Sequence, residues 1–193
     1  AIPGHRLLRV PVNRDENRFE TLHLNSPSMM QMFKLLERHD MVLSICLADD
    51  EQQIDEMAEV IRECQQLRVA IGHFGMVTTP SFERQVKLAL QGPRVMIESG
   101  GITWLYNAEF YPFPSAVRSI RQAADWVGMD RLMWGSDYPR TITAITYRMS
   151  YDFIIKSSEL TEQEKTAFLG DNAERFYGFT RLPELPYIKN MSE

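Results

Sequence analysis

Five short apolar runs are separated by stretches whose apolar residues recur with helical spacing, and this alternation restricts the fold more than any other feature. The runs are Arg6–Val12, Met41–Leu47, Arg68–His73, Arg94–Glu98 and Arg131–Gly135. They are nearly continuous in apolar character, as expected for parallel strands buried on both faces. Between them, Met29, Met32, Phe33 and Leu36 fall on one helical face, as do Ile54, Met57, Ala58 and Ile61, and Val117, Ile120 and Ala124 mark a third. Such stripes are most simply faces packed on a sheet. Alternating strands and helices imply right-handed βαβ units and a parallel sheet. With 193 residues, 44% of them hydrophobic, the chain has enough material for one sizeable core. Five strands suit an open doubly wound sheet, whereas a closed (β/α)8 barrel needs eight strands and about 250 residues. The chain opens on Ala1-Ile-Pro-Gly, with a strand almost at once. That leaves two choices, a complete five-strand domain or the later part of something larger.

Helix boundaries are marked by their chemistry. Ser26-Pro27 reads as an N-cap with proline in the first turn. Asp50 with Gln53, and Thr161 with Glu164, have the spacing of capping boxes. Gly170 is expected to close the helix that Thr161 opens, and Asp171 with Glu174 to open the next. Glu51, Asp55, Glu56 and Glu59 read as a solvated acidic face. Pro183 and Pro186 break regular structure, so residues 180–193 read as a C-terminal tail behind one domain over 1–179.

Composition excludes several function classes. The net charge is −5, with no basic patch of the kind a nucleic-acid partner requires. No apolar run approaches the roughly 18 residues that cross a membrane. No signal-peptide pattern is present. Cys46 and Cys64 give neither a disulfide framework nor a paired metal motif. The expectation is a cytoplasmic protein acting on a small molecule.

Two strand ends carry chemistry. Arg131-Leu-Met-Trp-Gly-Ser-Asp-Tyr-Pro139 runs from apolar residues into Asp137, and Pro139 stops the strand. Arg68-Val-Ala-Ile-Gly-His-Phe-Gly75 ends in the same way at His73. Substrates of α/β proteins bind outside the carboxyl ends of the strands. A single Asp there is ordinarily a turn former or cap, and a single His a hydrogen-bonded structural residue. Both at matched positions point to a site.

Val69-Ala-Ile-Gly-His-Phe-Gly75, Val95-Met-Ile-Glu-Ser-Gly-Gly101 and Leu132-Met-Trp-Gly-Ser-Asp-Tyr-Pro139 resemble the last three strands of the amidohydrolase-related TIM-barrel hydrolases. This is the lactonase and decarboxylase branch of the amidohydrolase superfamily. Gly170-Asp-Asn-Ala-Glu-Arg-Phe-Tyr-Gly178 is similar to that family's closing helix, and Gly4-His-Arg6 to its Gly-x-Arg on strand four. The resemblance covers roughly residues 4 to 179. It implies a (β/α)8 barrel of which strands four to eight are present. No His-x-His, the pair usually supplied by strand one, occurs in the sequence. The resemblance therefore implies a partial barrel, either homo-oligomeric or associated with the missing barrel segment.

The resemblance also implies roles. His73 matches a residue that polarises substrate or helps activate water, and Asp137 one that binds metal, takes a proton from water, or both. Both are thus candidate ligands of a divalent ion such as zinc or manganese. Strand five departs from the metal-using pattern, offering Cys46, Asp49 and Asp50 where those relatives carry histidine. A zinc-ligand role for Cys46 is weighed against a buried small hydrophobe, and the second is preferred. Arg6, Arg9 and Arg140 are candidates to hold a substrate carboxylate bidentately. Glu98, ending strand seven, and Tyr138, beside Asp137, are candidate substrate contacts, with surface or structural pairing as the alternative for the charged residues. Trp104, Tyr106, Phe110, Tyr111 and Phe113 lie in the loop after strand seven and are expected to form a lid or substrate wall, or else a dimer contact. The activity implied is hydrolysis of a small anionic lactone. The alternatives are a metal-dependent non-oxidative decarboxylase and a non-catalytic ligand-binding or regulatory α/β module.

Overall fold

The structure, a computed structural model, describes residues 23–180. The expected strand Arg6–Val12, with Arg6 and Arg9, lies outside the described residues, as does the tail from 181 onward. Strands β1 (Val42–Ile45), β2 (Arg68–Ile71), β3 (Val95–Glu98) and β4 (Leu132–Met133) form one sheet in the order β1-β2-β3-β4. Every pairing is parallel, with Val42 opposite Arg68, Val69 opposite Val95 and Ile97 opposite Leu132. The order never reverses, which a doubly wound sheet would require. The four strands are consecutive strands of a TIM barrel.

Each strand is shorter than its apolar run because the backbone leaves the ladder early. Gly72 still donates to the Ile45 carbonyl at 2.8 Å, but His73 then turns left-handed at φ 51°. In β4, Trp134 donates to the Phe168 carbonyl at 2.8 Å, so that strand ends at Met133.

Helices α1 (Pro27–Arg38), α2 (Glu51–Glu63), α3 (Phe82–Lys87), α4 (Ile102–Leu105), α5 (Pro114–Val127), α6 (Met149–Lys156), α7 (Glu162–Thr166) and α8 (Asn172–Tyr177) complete the described elements, with short turns between them. Strand residues alternate between two clusters. Leu43, Ile45, Val69, Ile71, Val95, Ile97 and Leu132 pack with Phe33, Ile54, Met57, Ile120 and Phe153 of the helices. Val42, Ala70, Met96 and Met133 pack instead with Phe176 of α8. Helix α8 thus does not flank the sheet like its predecessors. It sits across the strand starts, where Asn172 Nδ2 donates to the Leu132 and Met129 carbonyls at 2.7 and 2.8 Å and Arg68 donates to the Phe176 carbonyl at 3.1 Å. Among the described residues no helix is long and apolar enough to cross a membrane.

Several local expectations change. Thr161 and Glu164 form a reciprocal capping box. Asp50 caps α2 through Gln52 and Gln53, but the Gln53 side chain turns to the Ala48 N–H at 2.6 Å and does not return to Asp50. Gly170 does not end a helix. The chain passes through a π-type turn, Ala167–Asp171, directly into α8, and Gly178 at φ 71° closes it. Asp171 makes no capping bond. Glu56 is not part of a solvated face; it is buried, accepting from the Leu24 N–H at 2.8 Å and pairing with His23 at 2.6 Å.

Two carboxylates tie separate segments together, one a loop to a helix and the other two helices. Asp152 accepts from Lys156 at 2.5 Å and from the Tyr111 hydroxyl at 2.7 Å; Glu164 accepts from Arg121. The Lys156 and Tyr111 bonds hold Asp152 below its ordinary 3.8, and the Arg121 bond holds Glu164 below its ordinary 4.5. A lowered folded pKa contributes stability above the unfolded value that is lost as pH falls through the folded one. The unfolding midpoint should therefore hold between about pH 7 and 5 and fall toward about pH 3. Asp152→Asn and Glu164→Gln should each flatten that fall in thermal melts.

Candidate functional site

The carboxyl ends of the strands carry His73 after β2, Glu98 at the end of β3 and Asp137 after β4. Both His73 and Asp137 sit at positive φ, 51° and 49°, a conformation non-glycine residues adopt at a cost and which clusters at functional sites. Both are half-buried. Trp104, on α4, joins them. Its indole Nε1 donates to Asp137 Oδ2 at 2.7 Å, and its ring meets the His73 ring edge-on at 5.6 Å between centroids. The Arg140 guanidinium stacks over the same indole, 4.2 Å from the centroid. His73, Trp104, Asp137 and Arg140 are one connected cluster.

Glu98 fills the space beneath. Its Oε1 accepts from the Gly100 N–H at 2.9 Å. A Cβ on Gly135 would fall on the Glu98 carboxylate, and one on Gly72 would lie 3.7 Å from it. A strand-end residue without a side chain, Gly135, therefore makes room for the acid. Gly101 serves Trp104 similarly, since a Cβ there would collide with the indole nitrogen. Ser99 Oγ accepts from the Gly135 N–H at 3.3 Å and fixes the β3–β4 exit.

The other expected residues are placed as follows. Tyr138 is 60% exposed and follows Asp137 through a turn in which its N–H meets Ser136 Oγ at 3.2 Å. Arg140 is exposed. Among the loop aromatics Trp104 reaches the acid, whereas Phe113 is buried against Phe153, Tyr106 bonds Ser119 at 2.7 Å, Tyr111 bonds Asp152, and Phe110 is 78% exposed. Cys46 is half-buried beside the end of β2, where a Cβ on Gly72 would approach its Sγ to 2.9 Å; the buried cysteine is Cys64. Asp49 and Asp50 are structural: Asp49 accepts from the Ser81 N–H at 3.1 Å, and Asp50 caps α2. Hydrogen bonding from Ser81 lowers the Asp49 pKa.

Trp104 occupies one Asp137 oxygen, and among the described residues no group of three or more His, Cys, Asp or Glu side chains is arranged to hold a metal ion. The described residues do not form a metal centre by themselves.

Solved structures share this fold. An amidohydrolase from Burkholderia multivorans with bound zinc is 18% identical, with a TM-score of 0.66, matching 84% of this chain and 66% of its own. A protein from Pseudomonas putida, named as a candidate 2-pyrone-4,6-dicarboxylic acid hydrolase, is 18% identical, with a TM-score of 0.61, matching 84% of this chain and 61% of its own. A 5-carboxyvanillate decarboxylase from Novosphingobium aromaticivorans, complexed with manganese, is 16% identical, with a TM-score of 0.57, matching 82% of this chain and 54% of its own. The chain thus spans less than two thirds of the length of these structures. At such identities the likeness shows the fold alone. No curated protein matches the chain. Residues 5–179 match the amidohydrolase family, a span that takes in all four described strands and the cluster around Asp137. On that match the chain belongs to the amidohydrolase family.

Proposed function

We propose that this chain forms part of the active site of a hydrolase acting on a small anionic lactone or similar ester. The observation that supports it best is the Trp104 indole, which holds one Asp137 carboxylate oxygen and meets the His73 ring edge-on, so that acid and imidazole share one neighbour. In this reading Asp137 Oδ1 takes a proton from water as the water oxygen bonds to the ester carbonyl carbon. His73 donates a hydrogen bond to the carbonyl oxygen as negative charge develops there. The tetrahedral centre then collapses, the ring C–O bond breaks, and the proton held by Asp137 passes to the departing oxygen. Arg140, stacked on Trp104 and open to solvent, meets a substrate carboxylate. The Pseudomonas relative's named substrate, a cyclic ester with two carboxylic acids, belongs to this class. In this reading the working enzyme includes the remaining barrel strands, or a second copy, against the outer strands β1 and β4.

Decarboxylation is the second reading, favoured by the decarboxylase among the similar folds. The test is turnover of anionic and neutral lactones by the full-length protein, alongside carbon dioxide release from aromatic carboxylates. Lactone opening without carbon dioxide release is the expected result. Carbon dioxide release without lactone opening would replace the first reading with the second. Activity lost to a chelator and restored by zinc or manganese would assign an ion whose further ligands come from outside the described residues. Arg140→Gln should raise KM for anionic lactones about tenfold, a typical scale for a lost charge-assisted contact, and leave neutral ones unchanged. Equal effects on both would remove Arg140 from substrate recognition.

A further inference from the structure

Four arginines converge at the opposite end of the sheet. Arg68 begins β2, Arg94 and Arg131 immediately precede β3 and β4, and Arg175 lies on α8. Together with Asp130 they line a cavity of about 300 Å³. Arg68 and His73 are five residues apart along an extended segment, roughly 16 Å, so this cavity is separate from the Asp137 cluster.

Structural bonding accounts for part of this charge. Asp40 pairs with Arg68 at 3.1 Å and with Arg94 at 2.9 Å. Arg131 donates to the Pro93 carbonyl at 2.8 Å and lies 3.9 Å from the Asp130 carboxylate. Arg175 donates to Asn172 Oδ1 at 2.9 Å and to the Asp130 carbonyl at 3.2 Å. Among the described residues two carboxylates therefore stand against four guanidiniums, a local excess of positive charge in a chain whose net charge is −5. The Arg68 side chain is only 9% exposed, and its Nε is buried with no hydrogen-bond partner among the described residues. A buried donor on a charged group left in that state is costly. If these arginines only capped carbonyls, the excess charge would go unanswered.

We propose that this cavity binds a small phosphate-bearing anion. Guanidiniums reach it from four separate chain segments, which suits an oxyanion with oxygens pointing in several directions. A carboxylate offers two coplanar oxygens and is satisfied by a single guanidinium fork. The bound anion would brace the starts of β2, β3 and β4, whose other ends carry His73, Glu98 and Asp137. The proposal does not depend on the reaction assigned to that other end.

The test is thermal unfolding of the full chain with inorganic phosphate, pyrophosphate, citrate, or sodium chloride at matched ionic strength. Phosphate or pyrophosphate at saturation should raise the midpoint by about 3 °C or more, through binding to the folded state alone. Chloride should do nothing, and citrate distinctly less. Arg94→Gln with Arg175→Gln should weaken phosphate binding in calorimetry by about tenfold or more, whereas Arg118→Gln, on α5, should leave it intact. No phosphate response, an equal response to chloride or citrate, or undiminished binding in the double variant would overturn the proposal. The wild-type comparison of anions decides it even where the double variant fails to fold.

Discussion

Asp137→Asn should lower turnover of the full-length enzyme by about two orders of magnitude or more, the scale of a lost general base. The substitution keeps the shape of the side chain. The Trp104 indole still finds an oxygen at 2.7 Å if the amide presents its carbonyl to it, so the fold around the acid survives. What disappears is the ability to take a proton from water. KM should move little, because the loss falls in the transition state. Steady-state kinetics with an anionic lactone and a thermal melt on the same sample are the measurements. Full activity in the Asn variant would end the proposed role. Lost activity with a lowered melting midpoint would instead mark Asp137 as structural. Trp104→Phe separates the two further, since it keeps the base and removes its clamp.

Gly135→Ala should destabilise the protein by about 1–3 kcal/mol, the usual cost of overpacking a filled site. The added methyl would fall on the Glu98 carboxylate, which would have to abandon its 2.9 Å bond from the Gly100 N–H. At this chain length the midpoint should fall by about 2–4 °C per kcal/mol. Glu98→Ala in the same chain removes the obstacle and should recover most of the loss. The double variant is therefore expected to be more stable than the two single effects predict when added. Simple additivity would show that the glycine is needed for another reason.

The sheet was legible because its signal is local. Continuous apolar runs such as Val69–Ile71 and Val95–Ile97 require burial on both faces whatever surrounds them, and the helical stripes of α1, α2 and α5 follow the same logic. That His73 and Asp137 fall just beyond strand ends was legible from position alone. Trp104's attachment to Asp137 was not, because 33 residues separate them and nothing local states which aromatic of a loop turns inward. Glu56 was misread for a similar reason: its partners, His23 and Leu24, approach from an earlier segment and convert a surface position into a buried one. Gly170 was misread because a helix can absorb an extra residue in a π-type turn and continue. The arginines opening β2, β3 and β4 recur visibly in the sequence, but only the folded chain adds Arg175 and shows that they face one space.

His73, Phe74, Gly75 and Met76 all have positive φ, between 49° and 60°. A left-handed turn of this kind costs each non-glycine residue roughly 1–2 kcal/mol, so this segment would not choose it in isolation. The turn must be imposed from outside, and α3 is placed to impose it: a Cβ on Gly75 would come within 3.1 Å of the Gln85 Cβ. Helix α3 thus acts as a set-screw on the imidazole. Its packing fixes the direction in which the backbone delivers His73, although none of its residues belongs to the cluster. In directed evolution of the proposed activity, α3 is therefore a remote handle on the cluster, a place where changes in bulk would retune His73 without touching it.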